Sequence, residues 1–244
     1  MKKDIKEAWR FEYKYKLPLN LYYQFRSAII PYMEHDDFSR KALRNSYLVR
    51  SLYYDTYYYK SYYEKMEGTY GRTKYRLRTY AESAENEPDV RAELKVRKGQ
   101  VLEKHSAFVP YRHYLGFMEN RNWPDRSSPV LTEFERQVHL HALRPKVLVE
   151  YYREAFRSRE GSDMRISFDL QVSSCIADTL FPKTPFFRQH HPNNAILEIK
   201  CHIHRPAWLG KLISRYGLMY VANSKYTQGI EASRPDLITP YKQI

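Results

Sequence analysis

Arg91-Ala92-Glu93-Leu94-Lys95 alternates charged with apolar residues. That period of two belongs to a β-strand with one polar and one apolar face. Arg76-Leu77-Arg78 and Glu198-Ile199-Lys200 repeat the pattern. Taken singly, each segment reads more readily as the solvated outer face of a half-exposed antiparallel sheet. Their recurrence lines one sheet face with Arg, Lys and a few Glu. Such a face repels itself unless a polyanion neutralises it, with a metal held by the carboxylates.

Extending this reading along the chain, alternation and turn signals predict strands at 9–17, 47–54, 73–80, 90–97, 102–109, 146–154, 164–172 and 195–202. Helical spacing predicts helices at 19–34, 57–65, 111–119, 131–142, 206–216 and from about 224 onward. Helices set between hairpin-like strands imply an α+β fold built on one antiparallel sheet. Eight strands can close into a β-barrel with helices packed outside, which removes exposed edges. The charged faces then require a wet, charged bore. An open sheet with a basic concave face satisfies the same pattern.

The charged faces collect Arg10, Glu12, Lys14 and Lys16 on the first strand, then Lys74, Arg76 and Arg78. Arg91, Glu93, Lys95 and Arg97 follow, with Lys104. Tyr151 sits with Arg153, Arg165 aligns with Ser167 and Asp169, and Glu198 and Lys200 close the set. A phosphate chain needs many donors, and guanidinium groups hold phosphate oxygens bidentately, so Arg from several strands suit that ligand. Glu12 and Glu93 read either as ion-pair partners that keep the cations extended or as ligands of a hard divalent ion beside substrate phosphates. Glu198 is the leading metal-ligand candidate.

Bulk properties bound the same picture. The chain has 244 residues, 43% of them hydrophobic, enough for a substantial core in one domain, 1–244. No apolar run approaches the ~20 residues that span a bilayer, and Met1 to Glu7 is charged with no secretory h-region. Cys175 and Cys201 are too few for a disulfide scaffold, which fits a reducing cytoplasm. Lys and Arg number 41 against 28 acidic residues, a net +13 that calls for a polyanionic partner: nucleic acid, an anionic membrane or phosphate-rich small molecules. No nucleic acid is expected, since basic tails and runs are lacking and the basic residues alternate with carboxylates.

Other chemistry finds little support. His139-Leu140-His141 and His202-Ile203-His204 lack a third ligand at a metal-site spacing, no glycine-rich phosphate loop occurs, and neither Cys has the His company of a nucleophile. Tyr57 to Tyr63 are spaced for packing more than for base stacking. Ser224-Lys225-Tyr226 reads as a capped helix start, and a helix N-terminus beside a Lys is also an anion site.

In order along the chain, Arg10-Phe11-Glu12-Tyr13-Lys14-Tyr15, Ser51-Leu52-Tyr53-Tyr54-Asp55-Thr56, Tyr62-Tyr63-Glu64-Lys65, Tyr75-Arg76-Leu77-Arg78 and Ala92-Glu93-Leu94-Lys95 are followed by four further motifs. These are Glu150-Tyr151-Tyr152-Arg153, Arg165-Ile166-Ser167-Phe168-Asp169, Leu197-Glu198-Ile199-Lys200 and, last, Ser224-Lys225-Tyr226. Together they resemble the catalytic domain of VTC-type polyphosphate polymerases, within the triphosphate tunnel metalloenzyme (CYTH-like) superfamily. The resemblance implies an eight-stranded antiparallel barrel whose bore binds a triphosphate, with Mn²⁺ or Mg²⁺ on Glu198. It implies phosphate contacts at Lys14, Lys65, Arg76, Arg78, Lys95, Lys104, Tyr151, Arg153, Arg165, Ser224 and Lys225; Lys200 joins them from its place on the charged face. Arg76, Arg78, Lys95 and Arg153 are the expected catalytic set. The activity implied is transfer of the γ-phosphoryl group of ATP to a growing polyphosphate chain, in a cytoplasmic protein with a membrane-protein partner. Alternatives are a triphosphate or nucleoside-triphosphate hydrolase of the same fold and a non-catalytic polyphosphate-binding module. The hydrolase branch begins Glu-x-Glu-x-Lys, whereas Arg10 stands in place of the first Glu here, and the polymerase pattern carries a basic residue where this chain has Ala222.

Overall fold

In a computed structural model that describes residues 5–7, 11–99, 101–201 and 205–237, the alternating segments pair edge to edge into one antiparallel sheet. Its main path runs β1 (Ile5–Glu7), β7 (Val101–Val109), β6 (Val90–Lys98), β5 (Gly71–Thr79), β4 (Tyr47–Asp55), β8 (Arg144–Ser158), β9 (Arg165–Cys175), β11 (Asn194–Cys201) and β2 (Phe11–Pro18). Two short strands branch from it, β3 (Met33–His35) on β8 and β10 (Arg188–Gln189) on β9.

All eight predicted strands are present. The sheet has eleven because β1, β3 and β10 are too short to display an alternation. Among the described residues the ladder does not close into a barrel: no backbone pairing joins β2 to β7. The free edge of β7 is taken by β1, with Glu7 opposite Lys104. The sheet nevertheless curls until Glu12 of β2 meets Lys95 of β6, Oε2 to Nζ 3.2 Å. Side-chain charge spans the approach that main-chain hydrogen bonds do not.

The outer face carries two apolar layers. On one half, α4 (Tyr111–Asn120) and α5 (Pro129–Leu140) bury Tyr114, Phe117, Leu131, Phe134 and Val138 against Leu52, Leu77, Ala92 and Leu94. On the other, α1 (Leu19–Ile29) and α6 (Ala207–Arg215) bury Phe25, Ile29, Leu209 and Ile213 against Phe156, Ile166, Phe168 and Leu197. These are the apolar positions of the alternation. α2 (Asp37–Lys41) is a short turn capped by the Asp36 side chain, which accepts from the Ser39 N–H at 2.8 Å. The helix predicted over 19–34 stops at Ile29, and the chain re-enters the sheet as β3. The one predicted at 57–65 begins only at α3 (Lys60–Met66), because Tyr59 takes a left-handed conformation at φ 58° and Asp55 caps the helix by accepting from the Ser61 and Tyr62 N–H groups at 3.0 and 3.2 Å.

Not every helix lies outside. α7 (Lys225–Ser233) packs on the inner, concave face, where Tyr226 and Ile230 join Val49, Tyr53, Val147, Val149, Tyr151 and Val172 in a third apolar cluster. That end of the inner face is aliphatic rather than charged, so it needs a cover. Gly229 lets the helix seat: a Cβ there would lie 3.1 Å from Val149 and 3.2 Å from Val147. The Tyr226 hydroxyl donates to the buried Asp55 carboxylate, so one side chain both caps α3 and anchors α7.

Overpacking a fitted contact of this kind costs about 1–3 kcal/mol. Gly229→Val should therefore lower stability by about that amount in denaturant unfolding, whereas a substitution at the exposed Gly68 to Asn should be nearly neutral.

Candidate functional site

Cross-strand register decides which side chains share the concave face. Tyr53 lies opposite Arg76 and Tyr47 opposite Arg153. Arg153 in turn lies opposite Asp169, and Glu198 opposite both Ser167 and Lys14. Since residues two apart on a strand point the same way, Lys14, Lys74, Arg76, Arg78, Lys95, Arg153 and Arg165 all belong to one face. The shared face expected from the alternation is present.

Four carboxylates organise these cations. Glu93, 1% exposed, accepts from Arg76 Nε at 2.6 Å and lies 3.8 Å from both Arg78 and Lys104. Glu12 lies 2.8 Å from Lys14 and 3.2 Å from Lys95. Asp169, fully buried, is held bidentately by Arg153 at 2.7 and 2.9 Å and pairs with Lys225. Glu198 lies 2.9 Å from Lys200, 3.8 Å from Lys14 and 4.0 Å from Arg153.

Burial works against charge throughout, and the pairing outweighs it in most cases. Burial alone would raise the Glu93 carboxyl, yet Arg76, Arg78 and Lys104 hold it far below the ordinary range. Glu198 is likewise depressed by Lys200, Lys14, Arg153 and Lys225 against its own burial. Lys14 is raised, because Glu12 and Glu198 overcome its desolvation. Lys95 goes the other way: burial, with Lys14 and Lys200 adding to it, brings it down to about 8 in spite of Glu12.

Neutral groups complete the wall. Tyr53 accepts from Arg76 Nη1 at 2.9 Å, and Ser51 accepts from Arg78 Nε at 3.1 Å. The Tyr151 ring lies beneath both Lys225, at 4.5 Å, and Arg153, at 5.3 Å. Ser224 is the N-cap of α7 and accepts from the Lys74 ammonium at 2.7 Å. Lys14 donates to the Asn223 carbonyl at 3.1 Å, so the start of α7 is tied to two strands.

The fold thus brings together Lys14, Arg76, Arg78, Lys95, Lys104, Tyr151, Arg153, Glu198, Lys200, Ser224 and Lys225. Lys65 approaches from α3; burial and the nearby Arg72 and Arg97 depress its ammonium. Arg165 is on the right face but exposed, at the outer end of β9. Arg10, His202 and His204 lie outside the described residues. His139 is exposed and pairs with the Arg121 carbonyl, away from this face. Asp169, Tyr53 and Lys74 are members of the site to which the sequence assigned no role. Asp169 and Lys74 were visible in the alternation, whereas Tyr53 stood inside the Ser51 to Thr56 motif with no charge pattern to mark it.

Among the described residues no three His, Cys, Asp or Glu side chains form a ready metal cage. A divalent ion bound largely through substrate phosphates needs only one or two carboxylates. Glu198, with Glu12 nearby and sharing Lys14, fits that requirement in donor type and charge.

A family model described as VTC domain matches residues 9–234. No curated protein matches the sequence. Among solved structures, a Bacillus halodurans protein provisionally designated an adenylate cyclase aligns with a TM-score of 0.55 at 11% identity, over 90% of this chain and 95% of that one. A Vibrio parahaemolyticus protein of the same designation aligns at 0.45 and 11% identity, over 89% and 97%. The fold shared with the Bacillus halodurans protein is the triphosphate tunnel (CYTH-like) fold.

Removing one member of a buried ion pair and stranding the other typically costs about 3–5 kcal/mol. Glu93→Gln should lose stability on that scale, and inorganic tripolyphosphate should restore more of its Tm than it adds to the wild type. Because the Glu93 carboxyl is depressed on folding, its contribution is complete above its ordinary value near 4.5 and is lost as pH falls below it. Acid titration of stability should therefore be shallower in the variant.

Proposed function

The chain belongs to the VTC domain family, and from that premise we propose that it is a polyphosphate polymerase, a single-domain cytoplasmic phosphotransferase whose curled sheet forms the wall of a tunnel. The observation that carries this reading is the convergence of Arg and Lys from β2, β5, β6, β8 and β11 on one buried concave face. Phosphoryl transfer asks for positioning and charge stabilisation rather than a covalent nucleophile. The site offers both.

In the reaction proposed, a terminal oxygen of the polyphosphate chain attacks the γ-phosphorus of ATP. The bond from that phosphorus to the bridging oxygen breaks, and ADP leaves with the bond electrons. Arg76, Arg78, Lys95 and Arg153 hold the oxygens of the transferring group and balance the charge that develops on them. Lys14, Lys65, Lys104, Tyr151, Arg165, Lys200, Ser224 and Lys225 hold the phosphates on either side. Glu198 would hold Mn²⁺ or Mg²⁺, which when bound neutralises phosphate charge and polarises a phosphoryl oxygen. The inward pairing of each carboxylate also orders the cations in advance, which limits the entropy lost when substrate arrives. No helix among the described residues is long and apolar enough to cross a membrane; a membrane-protein partner that receives the product belongs to the same proposal.

Purified protein given ATP and Mn²⁺ should release ADP and lengthen polyphosphate, read on a gel of products. Orthophosphate alone would assign a hydrolase, and tripolyphosphate binding without turnover a binding module. Losing one charge-stabilising donor typically costs about 10²–10³ in rate, so Arg153→Ala should show no chain growth in a short assay. Glu198→Gln should reduce metal-dependent turnover while largely sparing tripolyphosphate affinity measured without metal; an unchanged metal dependence would move the ion to Glu12 or Glu93.

A further inference from the structure

Lys74 differs from its neighbours in what compensates its charge. Lys14, Arg76, Arg78, Lys95, Lys104, Arg153, Lys200 and Lys225 each have a carboxylate within 4.0 Å. Lys74 has none among the described residues. Its Nζ donates to Ser224 Oγ at 2.7 Å and lies 5.4 Å from the Tyr226 ring centroid. An ammonium carries three donors, so two remain. We propose that Lys74, together with the Ser224 hydroxyl it already touches, is a further phosphate-contacting residue of the concave face, and one that meets the anion without first releasing a carboxylate.

The placement supports this assignment, which rests on the reading of the face as a polyphosphate site. Lys74 sits opposite Lys95 in the β5–β6 register, on the same face as Arg76. Ser224 opens the nine-residue α7, whose N-terminus adds a favourable potential for an anion at that point. The groups facing Lys74 from the surrounding elements are cationic: Lys95 on β6, Lys14 on β2, Lys65 on α3 and Arg72 on its own strand. Burial first, and then these four, hold the ammonium well below the ordinary lysine value. An incoming phosphate supplies the anion that is missing and favours the protonated form. Binding should therefore be accompanied by proton uptake at Lys74, beside any at Lys95 and Lys65, whose ammonium groups burial also depresses.

Calorimetric titration with inorganic tripolyphosphate, repeated in buffers of different ionisation enthalpy, tests both parts. Losing a hydrogen bond to a charged group costs about 1.5–3 kcal/mol, roughly tenfold to a hundredfold in Kd. Lys74→Met should weaken binding by that factor while melting as a folded protein. Lys74→Arg, which keeps the charge but stays protonated, should bind close to wild type with measurably less proton uptake. A Lys74→Met protein that binds like wild type, an unchanged uptake in Lys74→Arg, or a Lys74→Arg protein as weak as Lys74→Met would each overturn the assignment. A wild type that fails to bind tripolyphosphate would instead bring down the polyphosphate reading, and the assignment with it.

Discussion

Crowding of like charge on one concave surface is the constraint that the rest of this molecule answers. Cations from β2, β5, β6, β8 and β11 face one another across a space from which bulk water is partly excluded, and at effective dielectrics well below that of water their repulsion would oppose folding. Glu12, Glu93, Asp169 and Glu198 each stand among several of these cations. Buried ion pairs of this sort add little net stability relative to an apolar core. Their value here is that the face can fold before any ligand arrives.

The other half of the concave face answers a different requirement. There the inward residues are Val49, Val147, Val149 and Val172, and α7 covers them. The same helix begins at Ser224 and Lys225, which reach Lys74 and Asp169. One nine-residue element thus closes an apolar surface with its body and completes a polar one with its first turn. Asp55 ties it down through Tyr226 and caps α3 with its remaining bonds. Packing and site geometry are consequently coupled through a single helix.

Most of the strand inventory was legible because the alternation is long and regular: Arg76-Leu77-Arg78 and Arg91 to Lys95 each show both faces at once. What escaped did so for physical reasons. β1, β3 and β10 span two or three residues and cannot show a period. In β9 the register against β8 slips between Glu150 and Tyr152, with Gln171 at φ 53°, so Asp169 and Ser174 both face inward although they are an odd number of residues apart. A strict period of two read through that point assigns one of them to the wrong side. The inner position of α7 was hidden because an amphipathic helix pattern does not say which side of a sheet it will cover. Asp169 was seen in line with Arg165, but its role as the shared partner of Arg153 and Lys225 depends on the pairing of β8 with β9 and on a helix 56 residues further on.

The internal carboxylates have a consequence for traffic through the site. A surface of bare cations would be an electrostatic sink, and a long anion entering it would settle deeply and stay. Here most cations already hold a counter-charge that is fixed to the wall, as a resin is held in its salt form. On the proposed polyphosphate reading, an arriving phosphate would take a cation over from its carboxylate, and on departure would leave the cation to the same carboxylate again. Entry and exit would then differ little in energy from one position to the next, giving a flexible polyanion a level path along the wall. The same condition, binding firm enough to enter and loose enough to leave, governs ions in a selective channel.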